Sequence, residues 1–165
     1  MAARCAGALD RLRALVAPCV TAAVLRTMWN GWSTRRRFQQ GWAPCVLGCS
    51  SPHDDVQDSI EHYAHCPIIL DMSRRYLNVP PLIGAARKGG FIVLGLQAGQ
   101  ISDDTLARRA VLAYAAYRTV HTLRERCRLP PLDQARLAGE MLRQMAREAA
   151  RHHPGTVRLL DAAWR

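Results

Sequence analysis

The sequence predicts a mostly α-helical fold in which a small cysteine–histidine knuckle sits between N-terminal helices and a C-terminal pair of amphipathic helices. Three observations carry that prediction. Apolar residues recur at helical spacing toward both ends of the chain. Prolines and glycines fall between those stretches, where helices start and stop. Between them, "CVLGCSSPHDDVQDSIEHYAHC" at 45–66 gathers three of the six cysteines and three of the six histidines.

Taken in order, residues 4 to 30 read as two helical pieces separated by Pro18. Leu9, Leu12, Leu15 and Val16 form one stripe; Val20, Val24, Leu25 and Met28 form the next. The apolar run from Ala14 to Leu25 is too short to span a bilayer and holds a proline. Its flank of Arg4, Arg11 and Arg13 suits a signal peptide, yet no A-x-A site follows cleanly and the helical spacing is the stronger pattern. "NGW" at 30–32 stops the second piece, with Gly31 expected in the left-handed position beyond the helix end. Ser33 or Thr34 then caps a short basic helix, "RRRFQQ", and "GWAP" turns into the cysteine segment.

After Cys66, "CPIILDMSRRYL" continues until Pro80-Pro81 ends it. The apolar run Phe91 to Leu96 fits a short strand or a buried helix start. A long helix over 102–127 follows, with Ser102 as N-cap and Asp103 and Asp104 at the positive end of the helix dipole. Its stripe is Leu106, Ala110, Ala113, Tyr117, Val120, Leu123 and Cys127. Pro130-Pro131 opens another helix, with Leu132, Ala135, Ala138, Leu142, Met145 and Ala149 on its apolar side, and "HHPG" stops it. "TVRLLDAAWR" gives a last helical turn or two. The chain divides into residues 1–72, helices plus knuckle, and a helical region at 73–165.

A chain of 165 residues that is 49% apolar can bury a sizeable core. Its net charge is +10, and of 23 basic residues all but Lys88 are arginine. Arginine suits phosphate through its planar fork. GC-rich coding also yields Arg- and Ala-rich, Lys-poor chains, so the charge supports a polyanionic partner without establishing one. Against that background, residues 45–66 hold Asp54, Asp55, Asp58 and Glu61 and no basic side chain apart from histidine.

Cys5, Cys19 and Cys127 stand singly in helical patterns, where a free cysteine behaves as a small buried hydrophobe. Cys45, Cys49 and Cys66 cluster instead, which fits a metal site in a reducing, intracellular compartment (nuclear or cytoplasmic) better than a disulfide framework. The spacing is Cys45-x3-Cys49-x12-His62-x3-Cys66. Zinc takes such donors in a tetrahedron, and a tight turn with freedom at Gly48 can deliver the first pair. The second pair is expected on one helical face, at i and i+4, in a helix capped by Asp58 with Glu61 at its third position. The acids therefore serve the helix start and the metal's histidine, while Asp54 and Asp55 are solvated loop charges. His65 and, more remotely, His53 compete with His62 as third ligand. Core thiols beside surface histidines are the bland alternative. Four protein donors leave no open position for catalytic zinc, and nothing supplies the orienting group or oxyanion loop that a Cys–His nucleophile needs.

The run "LRTMWNGWSTRRRFQQGWAPCVLGC…DSIEHYAHCP" resembles the zinc-binding region on the C-terminal side of the reverse transcriptases of non-LTR (LINE-like) retrotransposons. The matching positions are Leu25 to Trp32, Thr34-Arg35, Cys45 and Cys49, and Glu61-His62-Tyr63 through Cys66-Pro67, within residues 20 to 72. The spacing departs from that pattern: the first pair is more commonly two residues apart, and the family often has four residues between the histidine and the last cysteine. That spacing leaves His62 and His65 both open as ligand. No polymerase aspartate pair is visible, since "SDDTL" at 102–106 reads as a helix start, and no endonuclease or RNase H carboxylate set is present. The resemblance implies the tail of such an element, standing alone or as a truncated frame.

The expected function is a zinc-stabilised nucleic-acid-binding module with no enzymatic activity. Cys45, Cys49, His62 and Cys66 would hold Zn2+. Arg35, Arg36, Arg37 and Phe38 on one side, and Arg74 and Arg75 on the other, would contact RNA or DNA, with Trp32 and Trp42 beside the first group for base stacking. The alternative is a structural or protein-interaction module in which zinc only stabilises the fold and the C-terminal helices meet a protein partner. No membrane association is expected.

Overall fold

The computed structural model describes residues 2–49, 57–79, 102–126 and 130–162. The apolar run at 91–96, His53, Asp54, Asp55 and Cys127 fall outside the described residues. Within them the chain is mostly helical, with no strand and a single antiparallel bridge between Pro44 and Gln57.

Helices α1 (Ala2–Leu15) and α2 (Pro18–Met28) meet at a bend. Pro18 occupies the first turn of α2, where a missing N–H leaves no bond unmade. Leu12, Val16, Val20 and Val24 are buried, as their spacing requires. The stop after α2 differs from expectation. Asn30, not Gly31, takes the left-handed conformation (φ 51°). Gly31 matters for space: its amide donates to the Arg26 carbonyl at 2.5 Å, and a Cβ there would lie 2.9 Å from that same oxygen. The tripeptide "RRR" forms a turn rather than a helix, with Thr34 Oγ1 accepting the Arg37 amide (3.2 Å) and Gln39 in the left-handed region (φ 53°).

Helix α3 (Ile60–Tyr63) is one turn long, and α4 (Pro67–Arg75) ends before Pro80-Pro81. The long α5 (Asp103–Arg126) starts as expected, with Ser102 Oγ accepting the Thr105 amide at 3.2 Å. It packs against α1, α2, α4, α6 (Pro131–Ala150) and α7 (Pro154–Ala162). Accordingly its burial wraps around the helix: Ala107, Val111, Leu112, Ala115 and Ala116 are buried as well as Leu106, Ala110, Ala113, Val120 and Leu123 of the stripe the spacing suggested. One apolar cluster therefore runs from Ala8 on α1 through Leu47 in the knuckle to Leu142 on α6.

Two expected core positions are on the surface. Leu132 is 83% exposed, because it lies in the first turn of α6 ahead of the contact with α5; the buried face is Ala138, Leu142, Ala146 and Ala149. Cys19 is exposed, since α2 turns Val20 and Val24 inward and the neighbouring position outward. Among the described residues no helix is long and apolar enough to cross a membrane.

Candidate metal centre

The first half of the site is a tight turn. Cys45 follows the Pro44–Gln57 bridge, its carbonyl accepts the Gly48 amide at 3.0 Å, and its sulfur faces the Leu47 amide at 3.4 Å. Gly48 adopts φ 72°, the left-handed conformation that glycine takes without steric cost and that the spacing assigned to it. Leu47 is fully buried and anchors the turn to the core while Cys49 returns to the ligand cluster.

The second half is built differently from the expectation. Ser59, not Asp58, caps α3, its hydroxyl accepting the His62 amide at 3.0 Å. Glu61 points outward and pairs with Arg36 at 3.8 Å. His62 and Cys66 do not share one helix: α3 ends at Tyr63, and Cys66 is the residue before α4, with φ −57° and ψ 123°. Pro67 explains the break, because the residue before proline is pushed out of the helical region. The junction of two short helices therefore aims both donors inward.

Together these elements bring the ligand atoms of Cys45, Cys49, His62 and Cys66 within 4.8 Å of one another. The Cys49 sulfur and His62 Nε2 stand 3.2 Å apart. A tetrahedral zinc site with metal–ligand bonds of about 2.0–2.3 Å has ligand–ligand edges of roughly 3.5–3.8 Å. The donor set can thus close on one metal ion with small adjustments. His65 is exposed and outside the cluster, so of the two histidines it is His62 that lies among the three sulfurs.

Three thiols packed together cannot titrate alike. Hydrogen bonds from Cys45 and then Cys66, assisted by His62 against the cost of burial, hold Cys49 far below the ordinary thiol range. Donation to Cys49 and to Cys66, together with burial, pushes Cys45 far up. Cys66 is drawn down by Cys45, but donation to Cys49, burial and the Cys49 charge outweigh this and push it up to about 12. Of the three thiols Cys49 holds its proton most weakly, and a thiolate there, accepting from its two neighbours, is a ready ligand for a divalent cation.

Asp58 has another task. Its carboxylate is 1% exposed; it accepts the Tyr63 hydroxyl at 2.6 Å, Arg124 Nη2 at 2.6 and 2.7 Å, and the Arg35 amide at 3.1 Å. Its own amide donates to the Ala43 carbonyl (2.9 Å) and its carbonyl accepts the Arg36 amide (3.4 Å). One residue thus joins the basic turn, the approach to Cys45, α3 and α5. Burial above all, reinforced by the charge of the Asp58 carboxylate and the hydrogen bond to it, pushes the Tyr63 phenol well up, so it remains a donor. Trp32 packs at 5.6 Å from Tyr63 and 5.8 Å from Tyr117, its indole donating to Thr27 Oγ1 at 2.9 Å. It is 2% exposed and has no face for stacking on a base, contrary to the expectation from sequence. Sequence spacing gave no sign of the Asp58–Arg124 pair, whose members are far apart in the chain. Gln134 Nε2 donates to the Val46 carbonyl (2.6 Å), a further link between the knuckle and α6.

Arg35, Arg36, Arg37 and Phe38 are all exposed on the turn before the knuckle, with the Arg37 guanidinium 5.6 Å from the Phe38 ring. Arg74 and Arg75 are exposed at the end of α4, where Arg75 pairs with Asp71 at 2.6 Å. Comparison with protein-family models, curated proteins and solved structures found no match.

Proposed function

We propose that this chain is a zinc-stabilised nucleic-acid-binding module, of the kind found beside the reverse transcriptases of non-LTR retrotransposons, and that it lacks a polymerase active site. One observation carries the reading: the Cys45–Cys49–His62–Cys66 donor set, buried except at Cys49, is tied through Asp58 to an exposed turn bearing Arg35, Arg36, Arg37 and Phe38. Borderline-soft Zn2+ fits three sulfurs and an imidazole. Four protein donors complete its tetrahedron, so the ion's work is structural: it fixes the two knuckle halves and with them the basic turn. Arginines at 35–37 and at 74–75 would neutralise phosphates.

The test is metal analysis of the purified protein beside oligonucleotide binding over a range of salt. The expected result is one zinc per chain, lost in Cys49→Ser and His62→Ala and kept in His65→Ala. Affinity for nucleic acid should fall steeply with salt, with a log–log slope of roughly −0.7 to −0.9 per phosphate neutralised. Metal retention in both ligand variants, or binding that ignores salt, refutes the reading.

A second reading rests on the C-terminal helices, where arginines engage acids: Arg136 with Glu140 at 3.3 Å, Arg147 with Asp161 at 3.0 Å, and Arg108 with Asp104. Such faces suit packing or a protein partner better than a polyanion. Protein partners that survive nuclease treatment in a pulldown would favour it.

A further inference from the structure

Residues 36–43 form a loop whose two ends are fastened to one residue. The Arg36 amide bonds the Asp58 carbonyl at one end, and the Ala43 carbonyl accepts the Asp58 amide at the other. The preceding Arg35 amide bonds the Asp58 carboxylate, and the following Pro44 bridges Gln57 beside the metal ligands. Everything at positions 36–42 is exposed, including Phe38 at 56% and Trp42 at 67%. Single exposed apolar residues are ordinary, but here two large aromatic rings share one short, end-fastened loop with a run of arginines, the pairing that suits stacking on bases beside bound phosphates. The charge is one-sided: Arg35, Arg36 and Arg37 are cationic, the loop holds no acid, and Glu61, paired with Arg36, is exposed nearby.

We infer that this clamped loop binds single-stranded nucleic acid, with Phe38 and Trp42 stacking on unpaired bases while the arginines at 35–37 hold the adjoining phosphates. The inference rests on the nucleic-acid reading above and adds strand type and the stacking residues. Duplex hides the faces of its bases, so exposed aromatic rings gain nothing from it beyond the backbone charge, whereas every unpaired base offers a π-face. The loop's fastened ends lower the ordering cost of binding, which is the use of preorganisation. Sequence preference should be weak, because stacking does not read base edges.

The experiment is fluorescence anisotropy of the zinc-loaded full chain with a labelled mixed-sequence DNA oligonucleotide, offered single-stranded and as its duplex, at several salt concentrations. Anionic phosphatidylcholine/phosphatidylserine vesicles serve as a separate arm. The wild type should prefer the single strand. Phe38→Ala and Trp42→Ala should each weaken single-strand binding about five- to a hundredfold, with the salt slope unchanged. Trp42→Phe should recover most of the loss. Arg37→Ala should lower the slope by about 0.7. Trp29→Ala, which removes an exposed tryptophan outside the loop (74% exposed), should change neither. Metal content and circular dichroism of each variant confirm folding, and these side chains are exposed, so folding is not at stake. If the wild type binds with steep salt dependence but the aromatic variants lose nothing, or lose equally on duplex, this inference falls while the general reading stands. Vesicle binding that depends on Trp42 in the absence of oligonucleotide binding overturns it in favour of a membrane surface. A zinc-loaded wild type that binds no oligonucleotide overturns both readings.

Discussion

Asp58→Ala removes the acceptor at the centre of a buried network and should cost about 4 kcal/mol. The substitution strands a cation and a hydroxyl at once. Arg124 makes its pair through Nη2 alone; its Nε and Nη1 are buried without partners among the described residues. Breaking a buried ion pair by deleting one member costs roughly 3–5 kcal/mol. Because the Arg124 side chain is 24% exposed and can turn toward water, the low end of that range applies. The Tyr63 hydroxyl, on a residue 2% exposed, adds an unsatisfied donor worth about 1–3 kcal/mol, only part of which survives relaxation. For a domain of this size about 2–4 °C of melting temperature follows each kcal/mol, so the expected drop is roughly 8–16 °C. Thermal unfolding of the zinc-loaded protein, followed by circular dichroism at neutral pH, measures it. Arg124→Met should also destabilise by leaving the carboxylate buried, and Asp58→Ala/Arg124→Met should lose less than the sum of the two, since they share one interaction. A drop under about 3 °C for Asp58→Ala, or strict additivity in the double variant, would show that the network does not hold the knuckle to α5.

Other outcomes follow from single features. Because Cys49 holds its proton less tightly than an ordinary thiol and Cys45 and Cys66 more tightly, zinc binding near pH 7.5 should release fewer than three protons per metal, read with an indicator dye in weak buffer; release of three would mean that the thiols titrate independently. Burial first, and then Arg124, lower the pKa of His121, whose ring lies 4.3 Å from Tyr117, while Glu125 opposes and Arg26 and Arg118 reinforce the shift. The stability this histidine contributes is therefore full above its unfolded value near 6.5 and is lost as pH falls through the lower folded value. Urea midpoints should fall more between pH 7.5 and 5.5 in the wild type than in His121→Phe, and equal falls would refute it. Gly139 lies within α6 with open space where a Cβ would sit, so Gly139→Ala should stabilise by roughly 0.5–1 kcal/mol. Gly31→Ala should destabilise by roughly 1–3 kcal/mol because the Arg26 carbonyl blocks the added carbon, and urea denaturation separates the two signs.

Local signals carried most of the fold and half of the metal centre. Pro18, Ser102 and Gly48 act through their own backbone or nearest neighbours, and each does in the structure what its identity implied. The clustering of Cys45, Cys49, His62 and Cys66 was legible for the same reason, since four donors in a short segment have few ways to converge. What went astray depended on distant partners. Asp58 read as a helix cap because its true partner, Arg124, belongs to another helix, and Ser59 beside it was free to cap. Trp32 read as a stacking residue because arginines follow it, whereas Tyr63 and Tyr117 enclose it. Leu132 read as core because periodicity marks a face without saying where along the helix a neighbour begins. His62 and Cys66 do come together, but across a helix junction and not on one helical face, because Pro67 pushes Cys66 out of the helical region.

The reach of Arg124 across to Asp58 bears on how the knuckle can be handled. A fragment cut to residues 20–72 would keep all four donors yet leave Asp58 buried without its cation and strip Tyr117 from the face of Trp32. Such an excised peptide should chelate zinc as a loosely ordered ribbon, its basic loop no longer moored. Grafting the finger onto another scaffold therefore requires transplanting α5 with it.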